Sequence, residues 1–173
     1  MPTLVEVVAY DKAWPRAFAE MSKHLMSLLG SAAISVDHVG STAVPGLAAK
    51  PIIDIDVTLP GPDAIAAGSA ALVADSFVSR GNRYDDGVWA FAKQGAPGQR
   101  VYLCPPFSDT HRRRLIFRDQ LRRSREMADA YAALKRRLAA TFSFDGDSYT
   151  AAKTQFIDEV VRRAGPGLTE ALF

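Results

Sequence analysis

The sequence predicts an α/β fold, in which a small mixed β-sheet is covered by helices and the last third of the chain is helical. Three observations support this prediction. Near the N-terminus, apolar residues recur at three- and four-residue spacing, as in an amphipathic helix. Between residues 34 and 104, short β-branched runs are bounded by glycine and proline, as is typical of strands. After Pro105-Pro106 the pattern is helical to the end of the chain.

The N-terminal elements follow from caps and periodicity. Asp11 is predicted to cap the first helix, with Pro15 in its first turn, and Gly30 is predicted to end it. The apolar stripe of this helix is Trp14, Phe18, Met21, Leu25 and Leu29. The elements that follow are predicted as strands at 34–39 and 52–59, a helix at 62–75, and strands near 77–84, 88–93 and 100–104.

The C-terminal third is predicted to form helices at about 109–124, 126–141 and 148–164. Asp147 is expected to cap the last of these and Gly165 to end it. Its core stripe is Tyr149, Ala152, Phe156, Ile157, Val160 and Val161. Since no repeat or long linker divides the chain, we predict a single domain over 1–173, with a sheet core at about 1–107 and a helical part at about 108–173.

Composition places the chain among ordinary globular proteins, with 173 residues of which 48% are hydrophobic and 23% charged. Cys104 is the only cysteine, so there is no internal disulfide and no second cysteine for a zinc site, which favours a reducing compartment. We find neither a secretion signal nor the roughly 18 unbroken apolar residues of a membrane helix. The sequence therefore predicts a cytoplasmic protein that does not enter a membrane.

The net charge of +2 hides an asymmetry along the chain. Residues 1–100 carry eight Lys/Arg against ten Asp/Glu, whereas residues 108–140 carry ten against four. A basic segment beside a mildly acidic one indicates an anionic partner, either a phosphate or a nucleic acid such as RNA. The alternative, which charge alone favours, is a solvated helix face that is rich in arginine.

The strand at 52–59 carries two carboxylates. Because residues two apart in a strand point to the same face, Asp54 and Asp56 project together, about 7 Å apart at Cα. Such carboxylates on an apolar strand are costly unless a cation compensates them. Hard oxygen ligands suit Mg²⁺, which can hold the reacting oxygens of a phosphoryl transfer. We therefore expect Asp54 and Asp56 to be catalytic Mg²⁺ ligands in a solvent-accessible cleft; the alternative is an Asp-x-Asp at a sheet edge.

The turn before this strand reads Gly40-Ser41-Thr42. Glycine lets a phosphate approach the backbone, and the hydroxyl and amide of Ser41 can donate hydrogen bonds to its oxygens. Gly-Ser is also common in ordinary turns. Its combination with Asp-x-Asp on the next strand favours a phosphate-binding role for Gly40, Ser41 and Thr42.

The chain resembles the GrpB family. The stretch from His38 to Asp56 matches the core motif of that family almost residue for residue. The other matching landmarks are Tyr10-Asp11, Trp14-Pro15, Phe117-Arg118-Asp119, Leu121-Arg122, Tyr131, Leu134-Lys135, Tyr149, Lys153 and Phe156-Ile157. The resemblance spans nearly the whole chain and implies a nucleotidyltransferase-like fold. Related domains also occur fused to dephospho-CoA kinase, which points to nucleotide or coenzyme metabolism.

One departure from the nucleotidyltransferase pattern concerns the third carboxylate, which active enzymes usually place on a later strand. The strand at 100–104 contains no acid, and the nearest alternatives, Asp85 and Asp86, are predicted to lie in an exposed turn. With only two carboxylates, the site would hold one metal ion more easily than two metal ions.

Several other polar residues leave alternatives open. His24 and His111 are predicted on the surface. His38 adjoins the glycine-serine turn and belongs either to the site or to the hydrogen-bonded core. Lys50 is expected near the site, where it either pairs with Asp54 or binds phosphate. Arg118 either binds phosphate or forms a structural ion pair with its neighbour.

Two functional hypotheses follow. In the first, the protein is an enzyme that transfers a nucleotidyl or phosphoryl group with the help of Mg²⁺, because such catalysis is mostly positioning and charge neutralisation. In the second, it is a non-catalytic module that binds a nucleotide, another phosphorylated small molecule or an RNA end. The Asp-x-Asp favours the first hypothesis and the absent third carboxylate favours the second.

Overall fold

A computed structural model describes residues 4–165 of the chain. The single domain predicted over 1–173 extends at both ends beyond the described residues. The helices and strands are α1 (Trp14–Leu29), β1 (Ser35–Val39), β2 (Ile52–Thr58), α2 (Pro62–Ala74), β3 (Val78–Gly81), β4 (Trp89–Lys93), β5 (Gly98–Cys104), α3 (Asp109–Arg123), α4 (Arg125–Thr141), α5 (Gly146–Ala152) and α6 (Thr154–Ala164). Short 3₁₀ turns at Gly30–Ala32 and Ser41–Ala43 complete the order.

The sheet is mixed, as the sequence predicts. Its strand order is β1-β2-β5-β4-β3, with β2 and β5 parallel and the other neighbours antiparallel. The parallel pair lies in the middle of the sheet, where Asp54 is level with Arg100 and Asp56 with Tyr102. The predicted α/β architecture is therefore confirmed.

The two faces of the sheet differ in chemistry. One face packs against α1 and α2 and forms the main core, since the β2 residues Ile53, Ile55 and Val57 are fully buried there together with Val101 and Leu103 of β5. The opposite face carries the intervening polar residues of both strands. Alternation along a strand thus separates an apolar layer from a charged one.

The helical part forms a second core with the loop that follows the Ser41–Ala43 turn. Its buried residues are Val44, Leu47, Ala48, Phe117, Leu121, Ala128, Tyr131, Ala132 and Val160. This core holds α3, α4 and α6 beside the turn. None of the helices in the described part of the chain has the length and apolar character to span a bilayer.

The last predicted helix, 148–164, is wrong in three respects, and the first is that it is broken into α5 and α6. Lys153 lies at the break, between Ala152 and Thr154. The cap of α5 is Asp145, whose carboxylate accepts from the amide of Ser148, and not Asp147 as expected. Ala152, predicted in the core stripe, is exposed.

Candidate functional site: a charged sheet face beneath the helices

The polar face of the sheet brings five functional side chains together. β2 contributes Asp54 and Asp56, which share a face because they are two residues apart. β5 lies parallel to β2 and contributes Arg100, Tyr102 and Cys104 in matching register. The two aspartates therefore project as predicted, but their surroundings differ.

Asp56 is completely buried and is neutralised by helix α3. Its Oδ1 accepts from Nη1 of Arg114 at 2.7 Å, and its Oδ2 lies 2.9 Å from Nδ1 of His111. The guanidinium of Arg114 also stacks on the ring of Tyr102, 3.9 Å from its centroid. The expectation that Asp56 lines a solvent-accessible cleft is wrong, since its side chain has 0% exposure.

His111 lies between two carboxylates. Its second nitrogen, Nε2, is 3.4 Å from Oδ2 of Asp37 on β1. Burial alone would lower the pKa of His111, but the hydrogen bonds with Asp37 and Asp56 outweigh it and raise the pKa to about 9. The surface position predicted for His111 is wrong, because the residue is only 8% exposed.

Asp54 has a different environment, at the edge of the charged layer. It is half-buried and lies against Gly40. Val39 pairs with Asp54 in the sheet, and Gly40 is the next residue along the chain. Burial raises the pKa of Asp54, while the positive charges of Arg100, Arg114 and Lys153 act in the opposite direction.

Two lysines meet over one aromatic ring beside Asp54. Nζ of Lys50 lies 4.5 Å and Nζ of Lys153 4.4 Å from the ring centroid of Tyr149, itself buried at 1% exposure. Burial and the neighbouring Lys50 lower the pKa of Lys153 to about 8. Burial and the charge of Arg100 likewise lower the pKa of Lys50. We call Lys50, Arg100 and Lys153 the cation cluster.

The glycine-serine turn is fixed from within by His38 and Thr42. The hydroxyl of Thr42 donates to the carbonyl of Ile52 at 3.1 Å and lies 2.9 Å from Nε2 of His38, which is therefore the donor to that hydroxyl. The His38 ring stacks on Phe18 with 4.6 Å between centroids. Burial, followed by the charges of Arg122 and Arg118, lowers the pKa of His38 to about 4. We therefore assign Thr42 and His38 to holding the turn.

Helix α3 holds the same turn from outside. Arg118 pairs with Asp119 at 2.8 Å and donates to the carbonyl of His38 at 3.1 Å, which supports the ion-pair interpretation of this residue. Arg122 donates to the carbonyl of Ala43 at 2.9 Å. Ser41 is half-buried and its side chain is hydrogen-bonded with Tyr131 of α4.

The expected Mg²⁺ pair, Asp54 and Asp56, does not fit this arrangement. Oδ1 of Asp56 is held by Arg114 and Oδ2 by His111, so Asp56 could bind a metal only together with His111, whose imidazole does not suit Mg²⁺. A different group, Asp56, Cys104 and His111, places one potential ligand atom each within 4.8 Å of the others and could hold a metal. A thiol and an imidazole are poor ligands for Mg²⁺, which prefers oxygen.

Comparison with known proteins identifies the family. The family model described as GrpB protein matches residues 4–163. The chain belongs to the GrpB family. It is similar to the crystal structure of conserved protein GrpB from Enterococcus faecalis, with a TM-score of 0.84 and 28% identity over 92% of this chain and 96% of that one. It is also 34% identical to the UPF0157 protein BH1888 of Halalkalibacterium halodurans, over 92% of this chain and 82% of the relative.

Some GrpB relatives are longer than this chain. The chain spans only 45% of the UPF0157 protein YqkA of Bacillus subtilis, to which it is 30% identical over 88% of its own length. It spans 46% of a dephospho-CoA kinase of Mycolicibacterium paratuberculosis, with 30% identity over 92% of its own length. The GrpB domain therefore also occurs as part of larger proteins.

Part of the positive charge of the arginine-rich helices is neutralised by ion pairs within the protein. Several of the arginines at 108–140 form ion pairs: Arg112 with Asp109, Arg113 with Asp158, Arg114 with Asp56, Arg118 with Asp119 and Arg125 with Asp129. This pairing reduces the charge that the segment offers to an RNA. RNA binding through the basic segment stays a prediction.

Sequence reasoning missed three contributors to the charged layer. Arg100 and Arg114 are absent from the predicted site residues, and Lys153 is named only as a landmark of the family resemblance. The available signals were the alternation of β5, which puts Arg100 level with Asp54, and the spacing of His111 and Arg114 on one face of a helix.

Proposed function

We propose that this GrpB protein binds the phosphate groups of a nucleotide or a similar phosphorylated small molecule at the cation cluster, without the help of a divalent metal. The observation that carries the proposal is the charge balance around Asp54. Three cations, Lys50, Arg100 and Lys153, surround one free carboxylate, so the group holds two positive charges in excess. Such an excess matches the charge of a phosphate dianion.

The lowered pKa values of both lysines support the same proposal. Both lysines are partly desolvated and lie near other cations, and the opposite charge of an incoming dianion would offset both penalties. The glycine-serine turn stands beside this cluster, because Gly40 contacts Asp54. Phosphate on the lysines would therefore lie near the backbone of Gly40-Ser41.

Similarity to known proteins favours a nucleotide over a simple phosphate as the ligand. The GrpB resemblance implies a nucleotidyltransferase-like fold, and one relative is named dephospho-CoA kinase. Mg²⁺-dependent nucleotidyl transfer is the second candidate, supported by Asp54, whose half-buried carboxylate faces the turn. It is the weaker of the two, because Asp56 is bound to Arg114 and His111 and the strand β5 offers no third carboxylate.

Calorimetric titration with pyrophosphate and with ATP in the presence of EDTA tests the proposal. Lys153→Met and Lys50→Met keep the apolar stem and remove the charge, and we expect each to lower both affinities about 10- to 100-fold, the range of a hydrogen bond to a charged group. The matched control is Lys23→Met, on the exposed surface of α1, which should leave both affinities unchanged. Equal affinities in all four proteins, or no binding in EDTA, would reject the cation cluster as the phosphate site.

A further inference from the structure

We propose that Asp56, Cys104 and His111 form a binding site for one zinc ion. The three residues come from β2, β5 and α3, and all three are buried. They offer an oxygen, a sulfur and a nitrogen, and these ligand atoms all lie within 4.8 Å of one another. Aspartate, cysteine and histidine are all residue types that bind zinc.

The orientation of each ligand supports the site. Oδ2 of Asp56 and Nδ1 of His111 face each other at 2.9 Å, while the remaining atoms of both side chains are held elsewhere. Oδ1 of Asp56 is bound to Arg114, and Nε2 of His111 lies beside Asp37. An outer carboxylate on the second nitrogen is the arrangement that orients a histidine ligand and increases its basicity.

The separation of the oxygen and nitrogen ligand atoms is close to that of a zinc site. Zinc bonds to nitrogen and oxygen are about 2.0 Å long, so tetrahedral geometry separates these two ligand atoms by about 3.3 Å. The present separation of Oδ2 and Nδ1 is 2.9 Å. The thiol of Cys104 donates to the carbonyl of Tyr102 at 3.8 Å, a weak bond that a metal–sulfur bond readily replaces.

Zinc binding releases protons from its ligands and involves no other chemical step. Zn²⁺ takes the place of the thiol proton of Cys104 and of the Nδ1 proton of His111, and both protons pass to solvent. The hydrogen bond between His111 and Asp56 is thereby replaced by two metal–ligand bonds. Zinc is preferred to Mg²⁺ because thiolate and imidazole are ligands of softer cations.

Cobalt substitution gives a direct test. The protein is treated with a chelator and titrated with Co²⁺, which reports a thiolate ligand by a charge-transfer band in the near ultraviolet. We expect one Co²⁺ per chain, a thiolate band, displacement by Zn²⁺ and none by Mg²⁺, together with a higher unfolding midpoint in Zn²⁺. Absence of the thiolate band from wild-type protein would overturn the proposal, whatever the variants do.

The variants assign the ligands. Cys104→Ser is expected to lose the thiolate band, and His111→Gln to weaken Co²⁺ binding at least tenfold. The control His24→Gln alters an exposed histidine that pairs with Asp75 and should bind like wild type. Equal loss in the His24 variant would contradict the assignment. Since none of these measurements involves a phosphate, their outcome is independent of the proposed function.

Discussion

A methyl group on Gly40 would lie 2.6 Å from Oδ2 of Asp54, closer than any normal contact. Gly40 also has a φ of +74°, in the left-handed region that favours glycine. The glycine therefore serves two purposes: it lets the chain turn sharply after β1, and it allows the backbone to press against a carboxylate. This contact places the glycine-serine turn directly beside Asp54.

The first prediction separates these two purposes. Gly40→Ala should lower the free energy of unfolding by more than Gly46→Ala, measured by urea denaturation. Gly46 has a similar φ of +80° but nothing within 4 Å of its missing Cβ, so its variant reports backbone strain alone, about 1–3 kcal/mol. The additional loss at Gly40 measures the clash with Asp54. If both variants lost the same free energy of unfolding, Asp54 would have moved away from the added methyl group at no energetic cost.

The second prediction concerns the neutral state of His38. Its pKa is about 4 in the folded protein and about 6.5 when unfolded, so the unfolded chain binds more protons between these values. The stability that this histidine contributes is complete above pH 6.5 and declines as the pH falls towards 4. At pH 5 the loss is on the order of 2 kcal/mol.

Urea denaturation between pH 7 and pH 5 checks this dependence. His38→Gln has an amide that can still donate to Thr42 but does not titrate, so its unfolding free energy should fall less over this range than that of wild type. Parallel pH curves for the two proteins would contradict a buried neutral His38.

The third prediction is a pH dependence of phosphate binding. The pKa of Lys153 is lowered to about 8, so between pH 7 and pH 9 the free protein loses this positive charge and its pyrophosphate affinity should fall. Lys153→Arg keeps the charge at all these pH values and should therefore lose less affinity than wild type. Because the same ligand is titrated into both proteins, the ionisation of pyrophosphate cancels in the comparison. If the affinities of wild type and Lys153→Arg changed identically with pH, the charge of Lys153 would not contribute to pyrophosphate binding.

The sheet face and the turn could be predicted because their signals are local. The alternation of Ile53, Asp54, Ile55 and Asp56 determines which side chains face the core, and the family motif adds the glycine-serine turn. Both features lie within about twenty residues of sequence. The strands, the helices and the family were accordingly predicted well, apart from the break at Lys153 and two helix caps, which lie at Ala13 and Asp145 and not at Asp11 and Asp147.

The partners of the aspartates could not be predicted in the same way. Asp56 meets His111 and Arg114 across more than fifty residues, and no spacing rule links them. The burial of His111 depends on how α3 packs over the sheet, which a charged helix segment does not reveal. The sequence therefore indicated two equivalent carboxylates, whereas tertiary packing neutralises one and leaves the other among lysines.

The Asp54→Asn variant tests the central claim most directly, by calorimetric titration with ATP in EDTA and in Mg²⁺. If phosphates bind the cation cluster themselves, removal of the competing carboxylate should raise the affinity about tenfold in EDTA, and Mg²⁺ should not be required. Circular dichroism of the variant confirms that it is folded. If instead wild type binds ATP only with Mg²⁺ and Asp54→Asn abolishes that binding, Asp54 is a metal ligand and the metal-independent account is contradicted.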